Sequence, residues 1–334
     1  MLLPALYSLL AADENARAFG IPAVVALTLG VGLSFVIRNP SAYVSRRDVF
    51  LIVVLGWLGL AAIGSLPFVL SGLMEPVDAF FETMAGFTTT GASTILTPEE
   101  VAPSLLLWRS LTQWVGGIGI VLLFVAVGPR VGFGATQLYS AEVATPMPER
   151  ITPRIRDTAK ILAYVYGALT FGIMAALLLA GMALFDAINH ALTTVSTGGY
   201  STRSDSIAAF DSWAIELCVV VGMLLSGVNF ALYFQAAQGR LGRVLGNREL
   251  LAYLGIAATG TLLMTMSLYA FDYQDSPVFA FREALFWSVS LLTGTAFSST
   301  ADWKAWDPFS QGLLMLFMAI GACAGSTSGG VKVV

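Results

Sequence analysis

Charge is scarce in this chain, and so are the residues that most enzymes use for chemistry. Only 11% of its 334 residues are Asp, Glu, Lys or Arg, against about 25% in ordinary globular proteins. A water-soluble fold with so little polar material could not cover its own surface, so that class is excluded. One histidine, His190, and two cysteines, Cys218 and Cys323, leave no material for a His/Cys metal site or a disulfide framework. Both cysteines sit inside apolar runs and read as packing residues. A net charge of −4 excludes the basic footprint of a nucleic-acid partner. No paired carboxylates fall within an apolar run, and no Ser/His/Asp set can be assembled around a single histidine. The chain does not read as an enzyme, and no covalent cofactor is expected.

Apolar length is what the sequence has. Hydrophobic residues make up 57% of it, and the mean hydropathy is +0.78. A helix needs about 20 apolar residues to cross the hydrocarbon core of a bilayer. Uncharged runs of that size cover 18–37, 49–70, 110–129, 161–185, 217–238, 250–271 and 308–331. A shorter run, 1–12, lacks the basic start of a signal peptide and reads as a first helix. Eight spans are therefore expected, in a multi-pass protein whose first partner is the lipid bilayer.

The few charges set the orientation. With Met1 inside, 12 of the 17 basic residues fall on the inner side: Arg38, Arg46, Arg47, Arg130, Arg150, Arg154, Arg156, Lys160, Arg240, Arg243, Arg248 and Lys332. This is the positive-inside pattern. Of the 21 acids, 16 fall outside, and an acidic outer face concentrates cations.

Internal repetition is the most informative feature. Three segments, each too short to span, lie between pairs of spans. They begin at Asp78-Ala79, Asp186-Ala187 and Glu283-Ala284, and they close on Thr/Gly/Ser-rich turns. The offset from the acid to the key turn residue is 13 each time, giving Gly91, Gly199 and Ala296. Each unit reads as a span, a re-entrant helix headed by an acid that suits its N-terminus, a loop and a second span. Surface loops with ordinary turn chemistry would not repeat in register three times. Irregular backbone at membrane depth survives only when buried in protein or lining a watery cavity. Several such loops around an axis would offer carbonyls in place of an ion's hydration shell.

These units assemble into an all-α membrane protein with two N-terminal helices and three membrane–pore-loop–membrane repeats around a pore. It has eight spans and three re-entrant pore helices. A helical hairpin covers 1–45, pore repeats cover 46–130, 159–239 and 248–334, and a cytoplasmic loop covers 131–158.

Four motifs carry a family resemblance. They are Phe87-Thr88-Thr89-Thr90-Gly91-Ala92, the run 107–119 (LWRSLTQWVGGIG), Thr197-Gly198-Gly199-Tyr200-Ser201-Thr202, and the run 321–332 (GACAGSTSGGVK). With this topology they make the chain resemble the Trk/Ktr/HKT superfamily of potassium transporters, and within it the TrkH-type potassium uptake subunit. The resemblance implies a bacterial inner-membrane protein that transports K+ through a filter. The implied filter comprises Thr89, Thr90 and Gly91; Thr197, Gly198 and Gly199; and Gly294, Thr295 and Ala296. It implies a gating loop at Gly325, Ser326, Thr327, Ser328, Gly329 and Gly330, a homodimer, and a cytosolic nucleotide-binding regulatory subunit. Family members have four repeats where this chain shows three, so a longer native chain is expected. Ala296 departs from glycine and puts the third filter's geometry in question. Coupled cation (Na+ or H+) symport and a non-conducting fragment are the alternatives.

The remaining polar residues have two readings each. The 325–330 segment is either a helix break or, through Gly321, Gly325 and Gly329, a small-residue packing face. Arg109, one turn from Gln113, either tunes the pore or pairs with Glu82 or Glu283. Lys332 either charges the inner pore mouth or snorkels to the interface. His190 reads as a hydrogen-bonded packing residue, and Asn229, placed mid-span, as an interhelical hydrogen-bonder.

Overall fold

With no water in the hydrocarbon to satisfy backbone groups, a chain this apolar is driven into helices. The computed structural model describes residues 1–36, 46–131, 151–300 and 303–333, and among them there is no strand. The expected cytoplasmic loop falls largely outside the described residues, as do Arg38 and Arg150.

Among the described residues thirteen α-helices run in order: α1 (Leu2–Ala11), α2 (Ala16–Val36), α3 (Arg46–Leu70), α4 (Pro76–Phe87), α5 (Pro103–Val131), α6 (Ile151–Leu179), α7 (Leu184–Val195), α8 (Trp213–Ser226), α9 (Phe230–Ala237), α10 (Leu241–Leu245), α11 (Arg248–Ala270), α12 (Pro277–Leu292) and α13 (Pro308–Ile320). Five of them, α2, α3, α5, α6 and α11, are long and apolar enough to cross a membrane. Helices α8 and α9 make a sixth crossing only as a broken pair, bent by 90°. α1 spans about 15 Å at 1.5 Å per residue, half the thickness of the hydrocarbon core. α13 likewise stops short. Apolar runs counted from sequence thus overstate the number of straight spans.

Two breaks cause most of the difference. The run 217–238 is interrupted at 227–229 by Asn229, which hydrogen-bonds across to Glu249 of α11, the interhelical role expected of it. It also caps α9, its Oδ1 accepting the Ala231 N–H at 2.9 Å. The run 308–331 stops being helical at Gly321, whose φ is +76°. The freed groups of the two breaks satisfy one another: Cys323 N–H donates to the Gly227 carbonyl and Phe230 N–H to the Gly325 carbonyl, both at 3.1 Å. That exchange lets irregular backbone persist at this depth.

Each short helix packs between the spans of its own unit, α4 with α3 and α5, α7 with α5, α6 and α8, and α12 with α11 and α13. Three apolar clusters share the same division. Phe19, Phe68, Phe87 and Trp108 anchor the first, Tyr166, Met223 and Phe230 the second, and Tyr253, Met264 and Phe317 the third. The outward faces of α2 and α3 expose Leu27, Leu33, Phe50, Ile52 and Leu55, a surface suited to lipid.

The third short helix corrects one sequence inference. α12 begins at Pro277, capped by Ser276, and has no acid in its first turn. Glu283 lies nearly two turns in and accepts from Gln274 at 2.7 Å, so it does not serve the helix N-terminus. Asp78 and Asp186 do lie in first turns.

Capping also fixes α13, where the Asp307 carboxylate accepts from Phe309 N–H (2.9 Å) and Ser310 N–H (3.0 Å). Asp307→Ala is expected to lower stability by about 1 kcal/mol. Thermal unfolding in detergent reads the effect, and an unchanged midpoint would refute the cap's contribution.

Candidate functional site

The three short helices end in register, at Phe87, Val195 and Leu292, and each of them leads into the same backbone structure. Thr90, Gly198 and Thr295 donate their N–H to Ala85, Thr193 and Ser290, at 2.9, 3.0 and 3.0 Å. Gly91, Gly199 and Ala296 donate to those same carbonyls at 3.4, 3.4 and 3.2 Å. Positive φ recurs at the same two places: Thr89 (54°) and Gly91 (74°), Thr197 (52°) and Gly199 (76°), Gly294 (72°) and Ala296 (59°). Positive φ is uncommon away from glycine, so its recurrence in register marks a built conformation.

The chemical consequence is an imbalance. The loop N–H groups are turned back onto the last turn of each helix. Among the described residues, no donor reaches the carbonyls of Thr89, Thr90, Gly91, Thr197, Gly199, Gly294, Thr295 or Ala296. Backbone carbonyls left without donors carry negative dipole ends and suit a cation.

The loops also pack on each other in order. A Cβ added at Gly91 would collide with the Gly198 carbonyl, and one added at Gly199 would collide with the Thr295 carbonyl. Glycine is required at both places by conformation and by space. Ala296 adopts the same conformation with its side chain exposed. Its methyl meets no such neighbour among the described residues, and only the conformational cost of about 1–2 kcal/mol remains.

α5 holds the first two loops from behind. Arg109, Thr112, Gln113, Gly116 and Gly117 fall on one helical stripe. The two glycines bring the helix backbone against Phe87 and Ser196. Gln113, fully buried, donates from Nε2 to the Gly198 carbonyl (2.7 Å) and accepts the Tyr200 N–H at Oε1 (3.1 Å). Arg109 pairs with Glu82 at 2.6 Å, donates to the Ser201 carbonyl at 2.9 Å, and stacks over the Tyr200 ring at 3.6 Å. Of its two candidate acids, Glu82 is therefore the partner.

Further polar ties lie on the same side. Arg282 forks onto Glu216 with both contacts at 2.7 Å, joining α12 to α8. His190 lies between its contacts to the Asp186 carbonyl (2.8 Å) and Ser201 Oγ (2.9 Å) and packs against Phe210 and Phe297. This is the packing role expected of it. In the loop ahead of α5, the Ser204 backbone N–H and then its hydroxyl hold the Glu99 carboxyl below the usual carboxylate range.

Residues 321–333 lie against the other side of the loops. They are not helical, which removes the helix-packing reading of Gly321, Gly325 and Gly329. Thr327 Oγ1 donates to the carbonyls of Val195 (3.0 Å) and Ser226 (3.3 Å). A Cβ at Gly294 would sit 3.5 Å from the Gly329 nitrogen, which places the segment directly against the third loop. Ser326, Thr327 and Ser328 are buried, while Gly329 and Gly330 are exposed. Ala324 N–H donates to Glu249, and Lys332 Nζ folds back onto the Ser328 carbonyl. Lys332 thus braces the segment that precedes it, a role neither sequence reading assigned. Glu249 and Gly227 carry no mark in the sequence because their partners lie far along the chain.

Comparison with known proteins agrees with this geometry. Residues 16–271 and 273–334 match the family model TrkH, described as a cation transport protein. The chain is 38% identical to the Trk system potassium uptake protein TrkH of Salmonella typhimurium, over all of this chain and 70% of that protein. It is 41% identical to the TrkH of Vibrio parahaemolyticus, with the same coverage. The Trk system potassium uptake protein TrkG of Escherichia coli is 32% identical, over 99% of this chain and 69% of its own length. The crystal structure of the potassium transporter TrkH from Vibrio parahaemolyticus superposes with a TM-score of 0.90 at 39% identity, over all of this chain and 69% of that one.

Proposed function

This chain belongs to the TrkH family of cation transport proteins, and from that premise we propose that it transports K+ through a filter built from its three re-entrant loops. It is a multi-pass protein of a bacterial inner membrane. The observation that carries the proposal is the threefold repetition of one loop structure whose N–H groups are consumed and whose carbonyls are free. The ion-facing groups are the backbone carbonyls of Thr89, Thr90 and Gly91; Thr197 and Gly199; and Gly294, Thr295 and Ala296, with Gly198 serving the second loop through its backbone turn and its bond to α5.

In this reading α1, α8–α9 and α13 with the segment after it complete the eight crossings, and α4, α7 and α12 are the pore helices. The segment Gly325–Gly330 is the gate. It lies under the second and third loops, tied there by Thr327, and its displacement would open a path below the filter. Lys332 and Arg109 act through the backbone they hold, not as ion ligands. The exposed Arg240, at the N-cap of α10, and Arg243 within it form part of a basic inner surface for a cytosolic nucleotide-binding regulatory subunit, and the assembly is a homodimer.

Expression in cells deficient in K+ uptake tests the proposal. Restored growth and uptake at low external K+ are expected. Absence of K+ flux under every ionic condition, with the protein present in the membrane, would sink it. Flux tied in fixed ratio to Na+ or H+ would replace a simple pore with coupled transport.

A further inference from the structure

Gln113 bonds to the two peptide units that flank Gly199. Its Nε2 takes the Gly198 carbonyl, which belongs to the 198–199 peptide, and its Oε1 takes the Tyr200 N–H, which belongs to the 199–200 peptide. In a trans peptide the C=O and N–H point opposite ways. Fixing the Tyr200 N–H toward α5 therefore aims the Gly199 carbonyl away from α5. Fixing the Gly198 carbonyl toward α5 turns the Gly199 N–H the other way, where it meets the Thr193 carbonyl. One buried side-chain amide sets both planes.

The third loop has no equivalent. The neighbouring helix α8 buries Val219, Val220 and Met223, and among the described residues no donor reaches the Thr295 carbonyl. The three loops share a backbone, yet among the described residues only the second is held by a side-chain amide on both sides of its central residue. A peptide free to flip presents an N–H to a cation in place of a carbonyl, and the loss falls most on discrimination between ions of different size.

We propose that Gln113 is a positioning residue for ion selectivity, which aims the Gly199 carbonyl by clamping the peptides on either side of it. The proposal rests on the K+-pore reading above. Arg109 supports the same loop one residue further on, at Ser201.

The test compares Gln113→Met and Gln113→Glu with wild type in proteoliposomes, measuring K+ and Na+ uptake separately. Met fills the same volume without donor or acceptor. Glu retains an acceptor for the Tyr200 N–H. Gln113→Met is expected to lower the K+:Na+ uptake ratio by at least about tenfold, because it removes both buried hydrogen bonds of the amide. Gln113→Glu also sets a second oxygen against the Gly198 carbonyl, so it is expected to lower the ratio at least as far as Met. A packing role would change protein yield or melting temperature and leave the ratio alone. Both variants folded with a wild-type ratio would overturn the proposal. So would failure of both to fold, which would assign Gln113 to assembly. A wild-type protein that moves no K+ would instead sink the pore reading itself, so the two failures are distinguishable.

Discussion

Gly199→Ser is expected to reduce K+ uptake by about 100-fold while the protein still reaches the membrane. Gly199 has a φ of 76°, and an added Cβ would be driven into the Thr295 carbonyl. The left-handed conformation costs an ordinary residue about 1–2 kcal/mol, and overpacking at a tight contact costs about 1–3 kcal/mol more. At about 1.4 kcal/mol per tenfold, their sum corresponds to roughly two orders of magnitude if the strain is relieved by moving the loop. The Thr295 carbonyl is among those left without a donor, so the displaced group is itself a candidate ligand. Ala296→Ser is the matched control. Ala296 occupies the same register position and conformation and already carries a Cβ there, so this variant adds only a hydroxyl and is expected to transport near the wild-type rate. Uptake measured in K+-uptake-deficient cells decides the matter. Equal behaviour of the two variants would show that backbone geometry at this register is not what the filter depends on.

That control also shows what could be read from sequence. The offset of 13 residues placed Gly91, Gly199 and Ala296 in one structural position, and the positive φ values bear this out. Ala296 looked anomalous because sequence shows the residue and not its neighbour. The neighbouring carbonyl, not the conformation alone, is what demands glycine at 91 and 199. The reading of Glu283 as a helix head failed for a related reason. The loop ends of the three helices are in register, but α12 starts about a turn further upstream, so alignment from the loop says nothing about the start. The break at 227–229 lay inside an unbroken apolar run, where hydropathy gives no signal. Gly227 followed by Asn229 is the available sign, since Asn is a preferred helix cap. The end of α13 at Gly321, four residues before the expected break, was likewise marked only by a glycine. Arg109 and Gln113 were legible as neighbours one helical turn apart, whereas their targets, Gly198 to Ser201, lie some 90 residues downstream and needed the fold.

Arg109→Ala is expected to destabilise the protein by about 3–5 kcal/mol, the range for stripping one member from a buried ion pair. Arg109 and Glu82 have side chains 6% and 0% exposed, so neither charge can turn to water. Among the described residues Glu82 would keep only the Ser93 and Thr94 donors, too few for a buried carboxylate without a counter-charge. The same deletion removes the guanidinium from the Tyr200 ring and from the Ser201 carbonyl. The first and second loops would then be joined behind the filter chiefly by Gln113 and by the Tyr200 hydroxyl bond to the Glu82 carbonyl. A fall in thermal midpoint of about 10 °C in detergent is expected, at a few degrees per kcal/mol for a protein of this size. The pair itself need not be a net source of stability, because desolvating two charges offsets much of their attraction. The double variant Glu82→Gln/Arg109→Met is therefore expected to recover most of the lost midpoint, and the double-mutant cycle isolates the coupling. If Arg109→Ala melts with the wild type, Glu82 is not held as an ion beside Arg109. If the double variant melts as low as Arg109→Ala, the stabilisation lies in the contacts to Tyr200 and Ser201, and the arginine serves to join the loops more than to neutralise the acid.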